Sequence, residues 1–319
     1  MANKPEHRNI YKEVTDRIIE GLRGNRIPWN RPWLSMNPQN GEGREYQGIN
    51  ILLLLSTPYQ DPRWYTFKKA HELGCSVKKG SKATHIVYYK RYEKEIEEKG
   101  KDGAVEKKKV ARFFLKSYPV FNAEQIDGIP PLEVKDHTVS PEDLAKKIEP
   151  IMKRLYDTGL KFIESDTIVD SRAYYSPGTD TIKMPGLKLF ESPEAYLGTL
   201  FHEAGHATGH SSRLNRNIRN PFGHPDYAFE ELVAEMISAY GCAEHGIPND
   251  QSRNVGYIQS WIEVLQKDEK ALFRAASLAK RAMGWLAGKD LTEEDAPEVH
   301  EERSQIEGEE TTQARGLRR

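Results

Sequence analysis

Cysteine is nearly missing from this chain: Cys75 and Cys242 are the only two in 319 residues, far apart and in no C-x-x-C spacing. That usage belongs to a reduced, cytosolic protein rather than to a disulfide-stapled one. Long apolar runs are lacking as well. The longest, "INILLLL", covers Ile49 to Leu55, well short of the roughly 20 apolar residues that a membrane span requires. The opening stretch "MANKPEHRNIYKE" has none of the apolar core of a secretory signal. These absences lead us to expect a cytoplasmic protein with no membrane partner. What is present, 37% apolar and 30% charged residues, suffices to bury a core, and the length suits two domains.

The net charge of −1 conceals a division. Residues 1–120 carry 24 Lys and Arg against 14 Asp and Glu, whereas residues 121–319 carry 23 against 34. An asymmetry of this kind points to nucleic acid as a partner of the basic part.

The spacing of Ile10, Val14, Ile18 and Leu22 predicts a first helix, ended by "RGNRIPWNRPW". "WYTFKKAHELG" reads as a short helix stopping at Gly74. "THIVYYKRYE" and "KKVARFFLKSYPVF" are rich in β-branched and aromatic residues and flank a charged, turn-prone segment, which predicts a long hairpin. A basic α+β domain is therefore expected over residues 8–126, followed by a proline-stiffened linker over 127–140. Beyond it the pattern predicts a helix from Pro141 to about Tyr156, short strands in "KFIES", "SRAYY" and "DTIKMP", and helices near 192–209, 226–245, 250–267 and 269–287. The fold class expected is α+β, with a mainly helical second domain over 141–288 carrying a short β-sheet. The stretch 289–319 is acidic, poor in apolar residues and expected to be disordered.

One motif carries chemistry. In "FHEAGHATGHSSRL", His202 and His206 stand at i and i+4, so on a helix both imidazoles leave one face and can share one ion. Glu203 lies beside that face, where a carboxylate can take a proton from an activated water. Ser192-Pro193-Glu194 supplies a helix start, and Leu197, Leu200, Phe201 and Ala204 a buried side. A catalytic zinc normally has a third protein ligand. Residue 212 is serine, which rules out the extended H-E-x-x-H-x-x-G-x-x-H class, and His210 sits where the helix should end. Downstream, "DYAFEELVAEMISAYGCAEHG" reads as a strongly amphipathic helix on which Glu231 and Glu235 share a face with small residues. Glu231 is the expected ligand and Glu235 a partner to one histidine, with the exchanged assignment left open.

These residues are familiar together. "YYSPGTDTIKMP", "LFHEAGHATGHSSRL" and "EELVAEMISAY" resemble the zincin-like metallopeptidase domain of the ArdC family of antirestriction proteins. "IPWNRPW", "YQGIN", "PRWYTFKKA" and "GCSVKKGSKATHIVYYKR" resemble that family's N-terminal domain, which is taken to bind single-stranded DNA. The resemblance implies a plasmid- or phage-type protein that protects incoming DNA from restriction, with one zinc ion as cofactor.

Single-strand binders combine a positive groove with aromatic faces on which bases stack. Candidates for that work are Trp29, Arg31 and Trp33; Trp64, Lys68 and Lys69; Lys78, Lys79 and Lys82 around Gly80; and Lys90 and Arg91 among Tyr88, Tyr89 and Tyr92. No base-reading motif is present, so weak sequence preference and steep salt dependence are expected, with duplex DNA open as a second partner. If the metal site hydrolyses a peptide, Glu203 is the general base, Tyr174 or Tyr175 is a candidate to steady the oxyanion, and "DTIKMP" is a strand on which an extended protein substrate could pair. Two other readings compete: a site-specific zinc metalloprotease recruited to DNA, and a single-strand-binding accessory protein of conjugation or replication.

Overall fold

The structure, a computed structural model, describes residues 9–24, 27–30, 36–99, 105–132, 140–167, 172–221, 223–248 and 256–289. It is an α+β fold. Helix α1 (Ile10–Arg23) is capped by the Asn9 side chain, which accepts from the Lys12 amide at 3.2 Å, and it buries Val14, Ile18, Ile19 and Leu22. Strand β1 (Gln39–Asn40) precedes α2 (Ile49–Leu55), the apolar "INILLLL" run, whose residues are buried except for Asn50. Then come β2 (Arg63–Tyr65), α3 (Phe67–Glu72), β3 (Ser76–Val77), β4 (Thr84–Lys99), β5 (Val105–Asn122) and β6 (Ile126–Asp127).

Strands β4 and β5 form the expected hairpin, in register from Thr84 opposite Val120 to Lys99 opposite Val105. The base of the hairpin is tied down. Asn50 donates to the Val87 carbonyl and accepts from the Val87 amide, both at 2.8 Å, so one amide side chain extends the ladder of β4 into α2. Strand β5 also pairs with β2, giving the sheet order β1-β2-β5-β4. Trp64 and Tyr65, which the sequence pattern drew toward a helix, lie instead in β2 as its two buried residues.

The second half begins with α4 (Pro141–Tyr156), capped by Ser140. Strands β7 (Lys161–Ser165), β8 (Tyr174–Ser176) and β9 (Thr181–Pro185) form a sheet of order β7-β9-β8. Helices α5 (Pro193–Thr208), α6 (Pro225–Glu244), α7 (Ile258–Lys267) and α8 (Ala271–Leu286) complete it. Strand β9 is parallel to β7 and antiparallel to β8, so both its edges are taken. The expectation that "DTIKMP" could receive a peptide is thereby corrected: among the described residues β7 and β8 are the edge strands of this sheet, and β8 is the one whose residues line the cavity beside α5.

Helix α6 also departs from expectation. It is not amphipathic, for every residue from Glu230 to Ala243 is buried. The reason is its place: α5, α7 and α8 all pack against it. Its approach to α5 is close, since a Cβ on Gly241 would stand 2.7 Å from the Phe201 ring and one on Gly205 would stand 3.1 Å from Ile237. Ser238 on α6 reaches across to donate to the Gly198 carbonyl of α5 at 2.7 Å. A conventional side chain at either glycine would push these helices apart.

The composition changes near residue 126, but the apolar core crosses that point. Val14, Ile18 and Leu22 of α1, the apolar residues of α2 other than Leu54, and Trp29 belong to one cluster with α4 through α8. Tyr11 meets Phe273 edge-on with ring centroids 4.7 Å apart, and Trp29 lies 6.4 Å from Trp261, which in turn stacks on Tyr257 at 6.1 Å. No helix among the described residues is long and apolar enough to cross a membrane.

Candidate metal centre and nucleic-acid surface

Helix α5 starts as the sequence predicts, with Ser192 accepting from the Ala195 amide at 3.2 Å and Pro193 in the first turn. This places His202 and His206 one turn apart, with ring centroids 4.9 Å from each other. Helix α6 opens at His224 and Pro225 and delivers Glu231 opposite both rings. Glu231 Oε2 is 3.5 Å from His202 Nε2, and its Oε1 is 3.3 Å from His206 Nε2. One ligand atom from each of His202, His206 and Glu231 lies within 4.8 Å of the others. Two nitrogens and one carboxylate oxygen, with a cavity beside them, make a donor set that suits a divalent ion and leaves a position open.

Behind each imidazole stands a carboxylate. His206 Nδ1 is 3.3 Å from Glu230 Oε1, and His202 Nδ1 is 3.8 Å from Glu235 Oε2. A carboxylate within hydrogen-bond reach of Nδ1, as Glu230 is for His206, fixes the tautomer that presents Nε2 to a metal. Glu235 lies on the Nδ1 side of His202 but beyond hydrogen-bond distance of it. Glu230 was missed. It directly precedes Glu231, and two consecutive helix residues do not ordinarily face one site; both are turned inward because α6 is buried on all sides.

Electrostatics follow the packing. Burial pushes the Glu231 carboxyl up, but hydrogen bonds from His202 and His206 outweigh it and hold the group below the ordinary carboxylate range. Burial likewise depresses His206, and Glu230 with Glu231 more than reverses it, so the imidazole titrates above its usual value. For Glu203 burial prevails over the two histidines and raises the carboxyl, while the Tyr175 backbone hydrogen-bonds to it.

The cavity in front of His202, Glu203, His206 and Glu231 measures about 310 Å³. Tyr175, Tyr227 and Tyr257 form part of its wall, together with Asn217 and Asn220. The Tyr227 hydroxyl stands 3.3 Å from that of Tyr257 and hydrogen-bonds Glu231. Neither tyrosine was singled out from sequence, where nothing ties a residue opening α6 to one just before α7. The Tyr175 hydroxyl is not available to an oxyanion: it donates to Asp180 at 2.8 Å and accepts from Arg213 at 3.3 Å. Tyr174 is exposed, with Lys183 over its ring at 5.9 Å. His210 is outside the cluster and hydrogen-bonds Ser212 at 2.8 Å.

The aromatic candidates for nucleic-acid contact need correction. Trp29 is 0% exposed against Trp261, and Trp64 is 2% exposed against Tyr59. A wholly buried indole offers no face to a base, so both tryptophans are core residues. Lys68 is exposed beside Glu72 at 3.7 Å, and Lys69 is engaged with Glu42 at 2.7 Å. Lys78, Lys79 and Lys82 are exposed at the turn that Gly80 closes with a φ of 87°. Of these, Lys78 donates to the Glu124 carbonyl at 2.8 Å. Lys90 and Arg91 lie in β4, opposite Phe114 and Phe113, but their side chains are outside the described residues, as are Arg31 and Trp33 altogether.

Residues 155–278 match the family model of a zincin-like metallopeptidase, and residues 8–121 match the N-terminal domain of anti-restriction factor ArdC. The metal-free crystal structure of the antirestriction ArdC protein from plasmid R388 is similar at 36% identity and a TM-score of 0.69, over 88% of this chain and 97% of that one. Its Mn(II)-bound structure is similar at 34% identity and a TM-score of 0.66, over 92% and 100% of the two chains. Two Escherichia coli proteins named DNA primase TraC are 37% identical over 305 residues and 35% identical over 298, covering 89% and 88% of this chain. The chain spans only 27% and 20% of their lengths. The uncharacterized protein y4eC of Sinorhizobium fredii is 31% identical over 289 residues, covering 87% of this chain and 91% of that protein. The zincin-like match and the Mn(II)-bound relative indicate a divalent metal.

Proposed function

The chain belongs to the ArdC family of antirestriction proteins, and from that premise we propose that it protects incoming DNA by binding it single-stranded. Binding falls to the basic part, residues 8–126, with little sequence preference. The part over 141–288 holds one zinc ion between His202, His206 and Glu231. We place this activity in the cytoplasm. The observation that carries the reading is the three-donor cluster at the mouth of a 310 Å³ cavity, in the same chain as a basic half with exposed lysines. The donors fit zinc, and His206 Nδ1 faces Glu230 at 3.3 Å, the kind of partner that ligating histidines commonly have.

A zinc ion in a site of this kind supplies Lewis acidity and makes water acidic enough to be deprotonated near neutral pH. Glu203, buried at the cavity wall next to both histidines, accepts a proton from the attacking water and returns it to the leaving amine. The Tyr227 hydroxyl is engaged with Glu231, and that of Tyr257 beside it in the cavity wall is the donor that can steady the oxygen of a scissile amide. The open edge of β8 runs along the cavity and offers backbone hydrogen bonds to an extended peptide. Glu203 supports hydrolysis over a purely structural ion, since a structural site closes with four protein ligands and needs no base.

Two measurements on the full chain test this. Labelled single-stranded and duplex oligonucleotides titrated across a salt series should show tighter single-strand binding that weakens steeply with salt. Glu203→Gln should retain zinc, by elemental analysis, and retain DNA, while losing cleavage of any peptide the parent cleaves. Equal binding to duplex, or binding indifferent to salt, contradicts the first part; a variant that cleaves like the parent contradicts the second.

A further inference from the structure

With Trp29 and Trp64 committed to the core, the basic half needs another surface on which bases could stack. Three of its described aromatic rings are strongly exposed: Phe67 at 62%, Tyr88 at 53% and Tyr118 at 42%. Two of them meet. The hairpin register sets Tyr118 opposite Ile86 and Tyr88 opposite Lys116, so Tyr88 and Tyr118 are diagonal neighbours on one face of the β4–β5 ladder. Their rings contact edge-on, with centroids 6.3 Å apart and planes at 82°.

The same face changes character along its length. Toward the body of the protein, Ile86 and Val120 pack with Leu54, Trp64 and Tyr59. Across from Ile86 the Tyr118 ring is already exposed to solvent, and at the next pair on this face Tyr88 and Lys116 are exposed as well. On the opposite face, Val87 and Leu115 are packed into the main core, and Asn50 holds Val87 by two backbone hydrogen bonds of 2.8 Å. The two exposed rings therefore stand on backbone fixed from both sides. That is the arrangement a stacking platform needs, because a ring already held in place loses little freedom when a base settles on it.

Resting on the reading of the basic half as a single-strand binder, we propose that Tyr88 and Tyr118 are its base-stacking platform, with Lys116 contacting the adjoining phosphate. The occupant is single-stranded DNA rather than a protein surface on grounds of charge. Lys116 stands directly across from Tyr88, Lys79 and Lys82 are exposed just ahead of β4, and residues 1–120 carry ten more basic than acidic groups. Aromatic faces accept any base, so the platform gives affinity without sequence readout. Bases locked inside a duplex cannot reach it.

The test is anisotropy of a labelled thymidine oligonucleotide with the full chain, comparing the parent with Tyr88→Ala, Tyr118→Ala, Tyr88→Phe, Tyr118→Phe and Lys116→Ala. All three sites are exposed, and unchanged thermal melting confirms the fold. Each alanine variant of a tyrosine should weaken binding by about tenfold or more, with the slope against salt unaltered, and each phenylalanine variant should bind like the parent. Lys116→Ala should lower the salt slope by about one. If the parent binds the oligonucleotide and the alanine variants bind equally well, the platform is overturned while the single-strand reading stands. Phenylalanine variants as weak as the alanine ones, or an equal loss on duplex, overturn stacking as the mechanism. A parent that binds no single strand at low salt overturns both.

Discussion

Arg216 grips Glu230 with two prongs. Its Nη2 donates to Oε1 at 2.7 Å and its Nε to Oε2 at 3.0 Å, while the same Oε1 faces His206 Nδ1 at 3.3 Å. The guanidinium is itself locked by bonds to the Gly205 carbonyl and the Thr208 hydroxyl, each 2.7 Å. The end of α5, the loop after it and the start of α6 are thus tied into one frame around a histidine of the metal centre.

Glu230→Gln should therefore do two things. It leaves Arg216 buried without its counter-charge, which costs about 3–5 kcal/mol of stability by urea unfolding. It also replaces the charged acceptor behind His206 by a neutral amide and should lower zinc affinity by roughly 10-fold or more in competition with a chromophoric chelator. Undiminished zinc affinity would show that the carboxylate holds only the arginine.

A second buried pair predicts a pH dependence. Asp180 accepts hydrogen bonds from Arg213, whose side chain is fully buried, and from Tyr175. Burial pushes the Asp180 carboxyl up, but those donors outweigh it, and the group titrates below its unfolded value of 3.8. A depressed folded pKa contributes stability above the unfolded value and loses it as pH falls through the folded one. Asp180→Asn should thus be less stable than the parent at neutral pH by about 3–5 kcal/mol. The gap should narrow below pH 3.8. Asparagine also tolerates the left-handed backbone at this position, φ 47°, so backbone strain does not enter the comparison. A gap that stays constant into acid would refute the assignment.

Close helix packing gives a third expectation. Gly241→Ala places a methyl 2.7 Å from the centre of the Phe201 side chain, against the ring root rather than a flexible end. Overpacking of this sort costs about 1–3 kcal/mol. Because the helices that separate carry His202 and Glu231, the variant should lose zinc affinity along with stability. Loss of stability with unchanged zinc affinity would show that the donor cluster tolerates a shift of α6.

Thiol chemistry supplies the fourth. Cys242 is fully buried, and that burial pushes its thiol up to about 12. Cys75 is half-exposed. Brief alkylation of the native protein should modify Cys75 alone, and both cysteines after denaturation, as read by peptide mass spectrometry. Native labelling of Cys242 would mean that α6 opens far more readily than its packing implies.

The proximity of His202 and His206 in the candidate metal centre was legible in sequence because helix geometry turns their spacing directly into shared space. Glu231 followed from its place on the next long helix. Glu230, Arg216, Tyr227 and Tyr257 were not legible, since their roles depend on how α6 and two loops close around α5, which no local period encodes. The tryptophans failed in the other direction. A Trp beside prolines and arginines looks the same whether it faces a base or another Trp, and only the packing of Trp29 on Trp261 separates the two. The strand pattern located β9, but nothing in "DTIKMP" says that it is the middle strand.

The Trp29–Trp261 contact has a consequence for how this region can be moved between genes. One ring belongs to the basic part and the other to the helix before the last, and the core around them is common property. A fragment ending near residue 126 would carry an apolar scar where its other half had been, and so would the remainder. The stretch shared with the TraC relatives, 305 residues covering 89% of this chain, takes in both halves together.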